Sequence, residues 1–151
     1  MNAIYIYRVA NYLYLKKIPL IPKLLYWFIF LVFNSVVPPS AKIGANSKLA
    51  YGGIGVVLHS ASVIGSNVVI GQGVTIGRKL DPSGVPTIGN DVYISAGSRV
   101  LGEVYVGNNV IIGANAVVIN DVPDNSIVAG APAKIIKTID TSIYNLLENI
   151  Y

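Results

Sequence analysis

The chain has 151 residues, a formal net charge of +4, 53% hydrophobic residues, only 12% charged ones and no cysteine. One domain of this size without thiols excludes a disulfide framework, a cysteine nucleophile and a cysteine-ligated zinc site, and it suits a reducing, cytoplasmic setting. The basic residues are scattered rather than drawn into a stripe, which argues against a nucleic-acid partner and leaves an anionic cofactor or an anionic membrane surface as suitable ones.

Residues 1–36 form the most hydrophobic segment. Its uninterrupted apolar run, Leu24 to Phe33, has ten residues, whereas a bilayer-spanning helix needs about 20. Pro19, Pro22 and Lys23 bound it on one side, and Asn34, Pro38 and Pro39 on the other. The pattern predicts two short helices, roughly 4–15 and 20–33. A secretory signal fits less well, because the charged region would be long and tyrosine-rich and no small-residue cleavage site follows. Two compatible roles remain. One is a helical plug packed under the next domain and against sister subunits. The other is peripheral contact with the inner face of a membrane, with Arg8, Lys16, Lys17 and Lys23 near the headgroups.

From residue 43 the sequence counts in sixes. An aliphatic residue falls at Ile43 and Leu49, then at Leu58, Ile64, Ile70 and Ile76, and again at Ile88, Ile94, Val100, Val106, Ile112 and Val118. The position four residues later is small or β-branched, as at Ser62, Val68, Ser98 and Ala116. Six is neither a helical nor a simple strand period. It means a short strand followed by a turn, with the i and i+4 side chains pointing the same way. Gly and Asn at the corners tolerate the bends. Three such sides close a triangular coil, and coils stack about 4.8 Å apart. The expected fold is therefore an all-β solenoid, a parallel β-helix of hexapeptide repeats over residues 37–137. Residues 138–151 are expected to cap it, with a helix over roughly 141–149 that presents Ile143, Leu146, Leu147 and Ile150 on one face.

The repeat breaks twice. Between Leu49 and Leu58 the interval is nine, which leaves extra residues at "YGGIG". Between Ile76 and Ile88 it is twelve, and "GRKLDPSGVPT" reads as an extruded loop. With coil starts at 43, 64, 88 and 106, the third sides begin at 58, 76, 100 and 118. His59, the only histidine, then shares a corner with Gly77, at the root of that loop. The second-side column Tyr51, Gln72, Ala96 and Ala114 is partly small and predicts a shallow groove along the axis.

The segment from "IGQGVTIG" through "PTIGNDVYISAGSRVLGEVYVGNNVIIGANAVVINDVPDNSIVAGAPAKII" resembles the hexapeptide-repeat acyltransferases. It is most similar to the serine acetyltransferase group and its short relatives that O-acetylate sugars of capsules and lipopolysaccharides. The resemblance covers roughly residues 37–137. It implies a left-handed β-helix, a homotrimer, acetyl-CoA as co-substrate lying between neighbouring helices, no metal, and a histidine general base. By position, it implies that Ala96 and Ala114 line the coenzyme, that Gly77 and Arg78 lie near the thioester and pantetheine arm, and that Lys134 lies near the adenosine phosphates, where a lysine suits a phosphate. Three departures stand out. Tyr51 occupies the place of the base histidine of serine acetyltransferases, Val36 that of its supporting aspartate, and Val85 that of a second histidine in the loop. These departures, and the short hydrophobic N-terminus, point toward a small-molecule or lipid-linked sugar acceptor.

Acyl transfer to a hydroxyl needs a base and an oxyanion site. His59 is the expected base, oriented by a backbone carbonyl, by Asp81 in the loop, or by a group from the next subunit. Tyr51, Gln72 and Asp81 are the candidates for touching the acceptor. The competing readings are a β-helix zinc enzyme, for which one histidine per subunit is too few, a serine O-acetyltransferase, and a catalytically inactive β-helix that only binds.

Overall fold

The computed structural model describes residues 1–80 and 83–148. Its coil follows directly from the repeat. Ile43, Ile64, Ile88 and Val106 are ladder partners on the first side. Leu49, Ile70, Ile94, Ile112 and Val128 are partners on the second. Leu58, Ile76, Val100 and Val118 are partners on the third. All of these pairings are parallel, and all these side chains are buried in one core. Burying each contributes about 1.5–3 kcal/mol relative to exposure.

The corners explain the rest of the motif. Asn46, Asn67, Asp91, Asn109 and Asn125 stack at the corner between the first and second sides, each with φ between 55° and 58°. Asn and Asp tolerate this left-handed turn better than other residues with a Cβ. Where the chain closes from second to third side, Gly55, Gly73, Gly97 and Asn115 carry the positive φ instead. At the first corner Gly44 is required by closeness, since a Cβ there would lie 2.5 Å from the Gly65 carbonyl carbon.

The expected helices are present as α1, Ala3–Leu15, and α2, Ile21–Phe33. The Asn2 side chain caps α1 by accepting from Ile4 N–H, and Pro22 sits in the first turn of α2, where its missing N–H costs nothing. On α1, Ala3, Tyr7 and Ala10 face the open end of the coil. Its polar side chains satisfy the carbonyls of that exposed edge. Asn2 Nδ2 donates to Leu49 O at 2.8 Å, Tyr7 Oη to Ala41 O at 2.6 Å, and Asn11 Nδ2 to Pro39 O at 2.8 Å, while Arg8 donates to Ile43 O and Gly44 O. A strand edge left with free carbonyls invites further pairing, and α1 closes it. Burial pushes the Tyr7 phenol above its usual pKa, against the smaller opposing effect of the Arg8 guanidinium.

The other end is arranged differently from the expectation. Ser126–Ala129 extends the second side and pairs antiparallel with Lys134–Thr138, whose side chains are all exposed. The chain then runs back along the asparagine corner instead of crossing the end. Asn109 donates through Nδ2 to Thr141 O at 2.9 Å and accepts from Ile143 N at 2.8 Å. The helix itself, α3, is Ile143–Leu147. Of its expected apolar face, Ile143 is buried and Leu146 exposed, and Ile150 lies outside the described residues. Tyr144 Oη lies 3.0 Å from Asn67 O and 3.1 Å from Asp91 Oδ1. Burial, with the Asp91 carboxylate beside it, pushes this phenol up to about 12.

Candidate functional site

Two corners carry the candidate residues. At the corner after the third side, His59 N donates to Ile76 O at 2.8 Å and Gly102 N to Gly77 O at 2.9 Å. His59, Gly77 and Leu101 thus form the stacked column expected from the spacing. The ring of His59 is held locally, because its Nδ1 accepts from Ala61 N at 3.1 Å. This backbone N–H is an orienting partner that the spacing did not suggest. An Nδ1 that accepts carries no proton, so the neutral ring bears its proton on Nε2 and presents a donor there. Asp81, the other expected partner, lies outside the described residues.

The extruded loop starts beside His59 and then turns away from it. A Cβ on Gly102 would meet the methylenes of Lys79, and one on Gly84 would meet the side chain of Glu103. Both arms therefore pack on the rung beyond Gly77, which leaves the His59 rung uncovered by them. Arg78 is exposed. Gly77 has room to spare: a Cβ there would find its nearest neighbours at 3.7 and 3.8 Å.

The second column lies at the corner between second and third sides. Gly97 N donates to Gln72 O and Asn115 N to Ala96 O, which stacks Gln72, Ala96 and Ala114 in register. Gln72 and Ala114 are exposed and Ala96 is half-buried. Tyr51, in the short 3-10 turn Ala50–Gly53, is 72% exposed with φ 50°. The turn is anchored from below, where buried Ser35 Oγ donates to Gly53 O and Phe33 O and accepts from Val56 N. Arg99 is a feature that periodicity did not flag. Its Nη1 donates to Gly73 O at 2.8 Å and to Gly97 O, stapling two successive glycine corners beside the Gln72–Ala96 column. Lys134 is exposed and pairs with Ala129, one rung beyond Ala114.

The two columns occupy opposite ends of the third side. Gln72 and Gly77 are five positions apart in the chain, with the Gly73 corner between them, a path of at most about 16 Å. One copy therefore does not bring His59 against the Gln72–Ala96–Ala114 column. A separate groove of about 460 Å³ runs between the helical hairpin and the first coil, lined by Tyr14, Ile18, Pro22, Tyr26, Pro38 and Pro39. It ends at Ser60, the residue after His59. Among the described residues no three His, Asp or Glu side chains gather as a metal site.

Residues 86–120 match the family described as bacterial transferase hexapeptide (six repeats). The chain is 38% identical over 138 residues to a serine acetyltransferase of Helicobacter pylori, which covers 90% of this chain and 80% of that protein. It is also 38% identical over 137 residues to a serine acetyltransferase of Synechococcus elongatus, covering 89% of this chain but 56% of the relative, so it spans little more than half of that protein's length. Among solved structures it is similar to the serine acetyltransferase of Brucella abortus in complex with coenzyme A, at 34% identity and a TM-score of 0.86, covering 93% of this chain and 56% of that one. These likenesses support the serine acetyltransferase side of the resemblance and not its polysaccharide side.

Proposed function

The chain belongs to the serine acetyltransferase family, and from that premise we propose that it is an acetyl-CoA-dependent O-acetyltransferase working as a trimer of left-handed β-helices. The observation that carries this reading is the column of small residues at one corner, Ala96 and Ala114 beside Gln72, on a chain similar to a coenzyme A-bound enzyme. Acetyl-CoA supplies the activated acyl thioester. Ala96 and Ala114 leave space for the pantetheine arm, Gly77 and Arg78 flank the thioester, and Lys134 meets the phosphates. A second copy that sets its His59 corner against this column closes the gap of one triangle side.

His59 is the base in this scheme. To take a proton at Nε2, its ring must release Ala61 N–H and carry its own proton on Nδ1. That exchange costs about one neutral hydrogen bond, ~1 kcal/mol, well within the 10²- to 10⁴-fold that a base contributes. Serine is the acceptor favoured by the names of the relatives. A lipid-linked sugar hydroxyl is the second reading, favoured by the apolar groove that ends beside His59 and by Tyr51 at the usual base position.

The test is thiol release from acetyl-CoA with serine, then with nucleotide-linked and lipid-linked sugars. Release with one acceptor class and not the other decides between the two. A rise in melting temperature on adding CoA with no release from any acceptor would sink the enzyme reading and leave a binding protein. His59→Ala is expected to cost at least about a hundredfold in turnover. His59→Gln, which keeps a donor near Nε2 but cannot act as a base, should be equally slow; near-normal turnover in that variant would make the residue a donor instead.

A further inference from the structure

Charge and apolar surface are both polarised along the rod. Residues 1–80 contain eight Lys and Arg and no acid, a formal +8, whereas residues 81–151 contain three bases against seven acids, a formal −4. Coils stack in chain order, so the helical end carries most of the bases and the far coils most of the acids, although the returning tail brings Glu148 back beside Asn2, Ile4 and Tyr5. The helical end is also the apolar one. On α2, Leu24, Trp27, Phe28 and Leu31 recur at i, i+3, i+4 and i+7, and they are 44–77% exposed. Tyr5, Val9 and Tyr12 extend an exposed face along α1 with the same spacing. Lys16 and Lys17, after α1, and Lys23, in the first turn of α2, are exposed beside these faces. α2 has 13 residues, about 20 Å of helix, too short for a hydrocarbon core of about 30 Å. Among the described residues no helix is long and apolar enough to cross a membrane.

We propose that the α1–α2 hairpin docks the protein on the surface of an anionic phospholipid bilayer. α2 lies in the interfacial plane, with Leu24, Trp27, Phe28 and Leu31 among the upper acyl chains and Lys16, Lys17 and Lys23 at the phosphates. Tyr and Trp favour this layer because one end of each ring is apolar and the other polar. The acidic far end is repelled from the same surface, which sets the rod upright. A second copy is a poorer occupant. Face to face, two hairpins would oppose Lys16, Lys17 and Lys23 of each copy, and one carboxylate at that end, Glu148 beside Asn2 and Tyr5, does not balance them. This inference does not depend on the acetyl-transfer reading.

Trp27 is the only tryptophan beside ten tyrosines, so emission excited selectively at tryptophan reports on α2. The chain is titrated with vesicles of phosphatidylglycerol and phosphatidylcholine, and with phosphatidylcholine alone, at low and high salt. A blue shift and co-sedimentation with the anionic vesicles are expected, weakening at high salt. Replacing Lys16, Lys17 and Lys23 together by Gln should weaken binding roughly a hundredfold. Leu24→Glu with Leu31→Glu should abolish it while the circular dichroism spectrum stays unchanged. Equal binding to both vesicle types, no shift with either, or a shift without lipid that grows with protein concentration would each overturn the proposal.

Discussion

The coil and the hairpin are built from similar apolar residues and use them in opposite ways. Ile76 in the coil is 0% exposed, and Leu31 in α2 is 77% exposed. In the coil, each aliphatic residue is the ladder partner of another one rung away, so burial of one enforces burial of all. In the hairpin, only a strip of α1 and the Pro22, Ile29 and Phe33 face of α2 reach the core. The attachment is completed by side-chain donors to carbonyls, not by apolar contact alone. Hydrophobicity in the coil is thus spent on folding, and much of it in the hairpin remains available for association.

That contrast can be broken by substitution. Ile76→Ala, which removes a fully buried side chain, is expected to cost about 2–5 kcal/mol in urea unfolding. Ser35→Ala, at the junction of hairpin and coil, removes the hydroxyl that serves Gly53 O, Phe33 O and Val56 N. It should cost about 1–3 kcal/mol, since those buried groups lose a partner. Tyr7→Phe should cost about 1 kcal/mol by leaving Ala41 O without its donor. Leu31→Ser should change stability by less than about 0.5 kcal/mol. A Leu31 effect as large as that of Ile76 would mean that the α2 face is already covered in solution.

Alkaline titration sharpens the same contrast at both attachments of the termini. Burial raises the Tyr7 pKa above 10, and Tyr144 is pushed up to about 12. The unfolded phenols ionise first, near 10. The stability that these groups contribute is present below pH 10 and falls as pH climbs toward 12. Unfolding followed from pH 9 to 12 should therefore show a shallower decline in Tyr7→Phe with Tyr144→Phe than in the parent. An unchanged slope would show that neither phenol is protected.

Much of the site was legible as position and little of it as geometry. The spacing placed His59 beside Gly77 and Gln72 beside Ala96, because parallel stacking forces one register on every rung. It did not show that these columns stand at opposite ends of a side, since a period of six says which residues stack but not which stacks face one another. The Nδ1 contact of His59 had a local signal: a side-chain acceptor two residues before a free N–H is the geometry by which Asn and Asp make turns.

The sequence by itself determined the coil, its register, its asparagine and glycine corners and the two N-terminal helices. Each of these follows from short-range periodicity and backbone sterics. Tertiary structure decided the course of the C-terminal tail along the corner, the tilt of the loop arms toward Gly102 and Glu103, and the exposure of the α2 face. Those depend on contacts between residues far apart in the chain, for which a repeat supplies many equivalent partners and only packing selects one.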